Sequence, residues 1–282
     1  MSMGEARGHQ TLEPRAPWWR RYPSLYGALW RYSVTREMQF KANFLLWIVV
    51  EAMWFGLQLG FMSVIYGHTE DVAGWSRWQV ILLVGCSHFI QQVFTAFFLT
   101  NVSDISEHIR TGRLDFMLLL PVNTRFLVSF RKVDLGAFVN AMSALAVIGW
   151  ALRNLGHLPG PWEVAAFALL CGCGVVVHYS LMFMLASVAF WTVRIQGAVW
   201  GYYNLFNIAR IPEGAFPHGW FRRVFTWVLP MILVSNVPSM ALLGTMRSPW
   251  MGVSLAALAL ACLAASEALW RLALRRYASA SA

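Results

Sequence analysis

The 282-residue chain is 58% hydrophobic, 15% aromatic and 12% charged, roughly half the charged content of an ordinary soluble domain. Its apolar residues run unbroken rather than alternating, which excludes a soluble globular fold and a closed β-barrel and leaves membrane-spanning helices. The formal net charge of +9 gathers at the ends of the apolar runs instead of along one aromatic-studded face, so it carries topology information and implies no nucleic acid.

Residues 1–17 are polar and contain Pro14 and Pro17, and are expected to form a mobile tail. Residues 18–42 follow as an amphipathic interfacial helix. Tyr22, Leu25, Tyr26, Leu29, Ser33 and Phe40 share one helical face, with Arg20, Ser24, Arg31 and Thr35 roughly opposite. A solvated basic leader is the alternative, but a leader needs no apolar face. Pro23 suits such a helix only in its first turn. No cleavable signal peptide is evident, because the first apolar run starts near Asn43 and is long enough to span.

Residues 43–282 read as a single, all-α polytopic membrane domain with six transmembrane helices, at about 43–66, 78–101, 125–152, 162–192, 197–212 and 250–270. Six spans put both termini on one side. Sixteen of the 22 Lys and Arg residues then fall on that side, and the cytoplasmic side collects the excess, so both termini are expected in the cytoplasm. Tryptophans agree, with Trp75, Trp78, Trp162, Trp220 and Trp250 near the outer ends and Trp18, Trp19, Trp191, Trp200 and Trp270 near the inner ones. Residues 213–249 hold Pro217, Pro230, Pro238 and Pro249 around an apolar core. As a span this stretch would carry the basic tail outside and be broken at mid-depth, so an outer re-entrant hairpin is expected. Cys86, Cys171, Cys173 and Cys262 all lie within apolar runs and suggest neither a disulfide framework nor a metal site.

Between the second and third spans lies a charged insert, residues 103–123, placed in the cytoplasm by this topology. Asp104 with Glu107 three residues on matches a capping box, Gly112 can supply a left-handed helix end, and "RLDFMLLL" reads as a second, greasy short helix stopped by Pro121. An ordinary interfacial loop fits the same residues on physical grounds alone.

"GRLDFMLLLP" resembles the G-x-L-[DE]-x-L-L-x-x-P pattern after the second span of ABC-2 type exporter permeases. Gly112, Leu114, Asp115, Leu118 and Pro121 take the matching positions, and Met117 stands for the first paired leucine. The broader family has an acidic residue just before the glycine, where this chain has Arg110 and Thr111. That departure is similar to a six-helix subgroup of uncharacterised, viologen-exporter-like ABC transport permeases with R-x-G-x-L-D. The resemblance implies a cytoplasmic coupling helix, carried by Glu107, Arg110, Gly112, Arg113, Leu114, Asp115 and Pro121, that docks on separate ABC ATPase subunits. It also implies a second permease chain, alike or homologous, a place in the bacterial cytoplasmic (inner) membrane, and export by alternating access. ATP and Mg are expected on the partner, since neither Lys41 nor Lys132 follows a glycine as a phosphate-binding loop requires. The chain itself is expected to bind no cofactor and to be no enzyme.

Asn43, Trp47, Glu51, Trp54 and Gln58 recur at helical spacing and form one stripe along the first span. Aromatic walls around a carboxylate suit an amphipathic, hydrophobic or cationic substrate. His88, Gln91, Gln92 and Thr95 have helical spacing on the second span, and Asn204, Asn207 and Arg210 do so toward the outer end of the fifth. Trp47, Glu51, Trp54, Gln58, His88, Gln92, Asn204 and Asn207 are the candidate pathway residues. Structural hydrogen bonding between helices is the alternative for each polar one. His178 reads as a packing histidine, and Glu267 with Arg271 as a simple i,i+4 pair. An intramembrane enzyme would need converging ligands or acid–base groups, which His88, His178 and Glu51 do not supply. A proton-coupled transporter would be expected to show broken spans in matching repeats, and no internal repeat is evident.

Overall fold

The computed structural model describes residues 18–192, 195–217 and 219–277, with side chains from Tyr22 onward. The expected tail of residues 1–17, the side chains of Trp18, Trp19, Arg20 and Arg21, and Arg194 lie outside the described residues. Among the described residues the fold is all-α apart from one tiny hairpin. In chain order come α1 (Trp18–Gln39), α2 (Lys41–Ile65), β1 (Asp71–Val72) and β2 (Trp75–Ser76), then α3 (Arg77–Arg110), α4 (Arg113–Leu118), α5 (Thr124–Phe130) and α6 (Leu135–Leu155). They are followed by α7 (Pro161–Phe190), α8 (Gln196–Leu205) with a 3-10 extension Phe206–Arg210, α9 (Trp220–Val228), α10 (Met231–Leu242) and α11 (Trp250–Arg275).

Among the described residues, five helices, α2, α3, α6, α7 and α11, are long and apolar enough to cross a membrane, and a sixth crossing arises only if α9 and α10, bent 75° at their junction, count as one. The expected fifth span at 197–212 is not among them. Its ten α-helical residues rise about 15 Å at 1.5 Å per residue, half a bilayer core. Polar Asn204 and Asn207 and the Ile211–Pro212 break explain the early stop.

The expected span at 125–152 is also divided. Helix α5 stops at Phe130 and α6 starts at Leu135, because Asp134 Oδ1 accepts from Ala137 N at 2.9 Å and caps the new helix. The strap between them is sewn to its neighbours: Val133 N donates to Ser33 Oγ at 3.1 Å, and Lys132 N to Asn101 Oδ1 at 2.9 Å.

Helix α3 forms the buried axis of the bundle. Gly85 brings α6 so close that a Cβ there would lie 2.9 Å from Ile148 Cγ1, and at Gly174 of α7 one would lie 3.2 Å from the Val234 carbonyl of α10. With no hydrophobic drive between helices in lipid, small residues of this kind permit close approach and dispersion contact. Helix α2, by contrast, leaves Leu46, Val49, Met53 and Leu57 exposed along its outer face.

The amphipathic face of α1 turns Tyr22, Leu25, Tyr26, Leu29 and Ser33 toward the protein, while Ser24, Arg31 and Thr35 are exposed. Phe40 departs from that face and is 66% exposed, because α1 ends at Gln39. The face packs on α5 through edge-on Tyr22–Phe126 and Tyr26–Phe130 ring pairs. Pro23 lies inside the helix rather than in its first turn, since the helix begins five residues earlier than that proline.

Candidate functional site

The stripe on α2 faces a cleft. One compartment, about 600 Å³, is lined by Asn43, Phe44, Trp47, Glu51, Trp200 and Tyr203 among others, with Arg36, Glu37 and Asp134 toward the insert end. A second, about 310 Å³, is lined by Glu51, Trp54, Gln58, His88, Asn204, Asn207 and Arg210. Glu51 and Tyr203 border both, so the compartments meet there, between α2, α3 and α8. Seven of the eight candidate pathway residues named from the sequence line this cleft. Gln92 stands behind its wall, donating from Nε2 to Glu51 Oε2 at 3.2 Å.

Three features of the site are not evident from spacing. Tyr203 joins the compartments and is held by a 3.2 Å bond to Thr95. His88 stacks on Phe55, with ring centroids 4.0 Å apart. Arg210, expected toward the outer end, instead sits near the middle of α3, where its Nη2 donates to Gln91 Oε1 at 2.6 Å. The short 3-10 extension of α8 places it there, and its polar stripe with Asn204 and Asn207 is the signal that points to it.

Irregular backbone beside the cleft is satisfied from α10. Asn236 accepts from Glu213 N at 2.9 Å and donates to Ile211 O at 3.2 Å, and Ser235 Oγ donates to Ala209 O. Such compensation is what allows non-helical chain at membrane depth. Glu213 lies 3.9 Å from both Arg222 and Arg247, so the two ends of the α9–α10 stretch meet at one end of the bundle.

Residues 52–281 match the family model described as ABC-2 family transporter protein. The chain belongs to the ABC-2 transporter family. Neither the curated proteins nor the solved structures give a match. Within the permease the match takes in the insert, α8 and Arg210, and it begins just after Glu51, so α1 and the first half of the stripe are assigned by geometry alone.

The permease's insert differs from its expected form. Asp104 has helical backbone and caps nothing; its carboxylate pairs with Lys132 Nζ. Glu107 is held by Arg110, at 2.9 Å from Nε and 2.8 Å from Nη2, rather than by the start of a helix. The charged segment Ile105–Arg110 is the expected short helix, but it runs on from the rest of α3 through helical Asp104 with no side-chain cap. Gly112 does adopt the left-handed conformation, φ 68°, and opens α4. There Leu114 is fully buried and Met117 nearly so, while Phe116 and Leu119 are 73% and 81% exposed. Arg113 and Pro121 are exposed on either side.

Past the insert, Arg125 ties three elements of the permease together. Its Nη1 donates to Glu267 Oε2 and its Nη2 to Ser266 Oγ, both at 2.6 Å, and its Nε to Tyr179 OH at 3.2 Å. Glu267 also accepts from Arg271 at 2.5 Å, so the expected simple pair is one arm of a knot joining α5, α7 and α11. His178 stands apart from the cleft, between Phe94 and Phe206 at 4.1 and 4.3 Å; neither ring nitrogen meets a partner among the described residues.

Proposed function

We propose that the permease is the transmembrane subunit of an ATP-driven exporter, moving an amphipathic or hydrophobic substrate by alternating access in a dimer of permeases. The observation that carries this reading is the two-compartment cleft, open along the weakly covered α2, whose aromatic and polar lining a second chain would close. A single chain offers too few crossings to enclose a pathway, and a two-fold partner supplies the missing wall.

In this reading the α3 end and α4 form the coupling element on the cytoplasmic side, with both termini, in a bacterial cytoplasmic membrane. ATP and Mg belong to a separate ATPase. Exposed Phe116 and Leu119 offer an apolar docking surface, Glu107, Arg110 and Arg113 its charged rim, and buried Leu114 and Met117 anchor it to the bundle. The α9–α10 stretch serves as a re-entrant outer hairpin, a role supported by the meeting of its two ends at Glu213.

Purification in mild detergent, followed by identification of accompanying subunits and labelling of a cysteine placed at Arg113 in intact cells, tests the assignment. An ATPase subunit should accompany the chain, and the label should react only after the cells are opened. A chain whose transport collapses with the proton gradient while ATP stays high, or whose insert is labelled from outside, overturns it.

A further inference from the structure

Resting on the transport reading above, we propose that the cleft receives amphipathic zwitterions, with Arg210 taking an acidic group and Glu51 an ammonium group. Arg210 is 7% exposed. Only Nη2 is bonded, to Gln91, and among the described residues Nε and Nη1 meet no acceptor. Glu51, on the same 310 Å³ compartment, bonds an amide, Gln92, rather than a cation. One cation and one anion thus share a small, half-open compartment without bonding to each other.

Arg210 and Glu51 attract each other across the compartment without a hydrogen bond between them, so the compensation is partial, and a ligand that bonds each of them completes it. A monocation placed against Glu51 stands in the field of Arg210, and a monoanion on Arg210 stands in the field of Glu51. A molecule bearing both charges satisfies both residues. Guanidinium nitrogens match the oxygens of phosphate or carboxylate, while Trp54 beside Glu51 gives an ammonium an aromatic face. Beyond Glu51 and Tyr203 lies the larger compartment, walled by Phe44, Trp47 and Trp200. The apolar part of the ligand goes there, pointing toward the insert end.

Equilibrium binding to the purified full chain in neutral sugar-detergent micelles tests this, using an inverse phosphocholine amphiphile, with its chain on the ammonium nitrogen and its phosphate diester at the far end, against an alkyl trimethylammonium and an alkyl phosphate of equal chain length. The inverse phosphocholine should bind about tenfold or more tighter than either, the scale of one lost charge-assisted bond. Arg210→Gln should weaken the zwitterion and the phosphate and spare the ammonium; Glu51→Gln should weaken the zwitterion and the ammonium and spare the phosphate. Phosphocholine without its chain should bind far more weakly, and equal binding overturns the place given to the apolar part. Absence of a preference in the wild type, or equal weakening of all three probes in both variants, overturns the proposal. Should Arg210→Gln not fold, Arg210→Lys and Glu51→Gln carry the same comparison. ATP-driven efflux of any lipophilic dye with no zwitterion preference would sink this assignment and leave the transport reading standing, whereas probe binding with no ATP-dependent movement would sink the latter alone.

Discussion

Replacing Arg125 by Met keeps an unbranched stem and removes the guanidinium from its knot. Three hydrogen bonds are lost, to Glu267, Ser266 and Tyr179, together with a contact 4.6 Å from the Phe183 ring. A hydrogen bond to a charged group contributes about 1.5–3 kcal/mol, and a partly buried cation over a ring about 0.5–1 kcal/mol. The sum is discounted because the Glu267 side chain is 34% exposed and keeps Arg271, and exposed pairs are screened. A loss of about 2–4 kcal/mol follows. Dodecyl sulfate unfolding of Arg125→Met, Glu267→Gln and the double variant measures the pairwise part, expected at about 1–2 kcal/mol. Single effects that add to within about 0.5 kcal/mol would refute the idea that the guanidinium is what ties α5 to α11.

Gly85→Ala should destabilise by about 1–3 kcal/mol through overpacking against Ile148, and adding Ile148→Ala should recover part of it; the same unfolding titration decides, and a neutral Gly85→Ala contradicts the close α3–α6 approach. On the coupling proposal, Glu107→Lys with Asp115→Lys should lower transport per ATP hydrolysed about tenfold by reversing charge on the docking element formed by the α3 end and α4; unchanged stoichiometry in reconstituted vesicles removes both residues from that proposal. Burial, and secondarily the nearby Asp134 carboxylate, raises the Glu37 carboxyl above its ordinary value. The folded chain therefore holds that proton more tightly than the unfolded one, so stability falls as pH climbs from the ordinary carboxylate value through the raised one. Glu37→Gln should flatten that slope, and an unaltered pH profile would show that another group sets it.

The apolar runs, the inward face of α1 and the left-handed Gly112 were legible because each depends on residues within a few turns of one another. The stripe from Asn43 to Gln58 was legible for the same reason: one helix carries it. Asp104 and Glu107 show the limit. Their spacing satisfies a capping rule, yet Lys132 takes the Asp104 carboxylate and α3 continues through. Asn101 and Ser33, distant in sequence, likewise decide where α5 and α6 part. In the cleft, the pairing of Arg210 with Gln91 and of Tyr203 with Thr95 depends on the register between α3 and α8, which no single-helix period reports. The Arg125 knot spans more than half the chain, and only its Glu267–Arg271 arm has a local signature.

Helix α3 widens into a π turn at Thr95–Leu99, where the Ala96 carbonyl turns aside to accept from Asp134 N at 2.8 Å. A widened turn holds one residue more than a regular helix needs, and such turns gather at functional sites. It falls between the half of α3 locked against α6 at Gly85 and the half that ends in the insert. The long rod from hairpin to insert thus changes its winding beside the cleft, and its two halves present their side chains in different registers to the helices on either side.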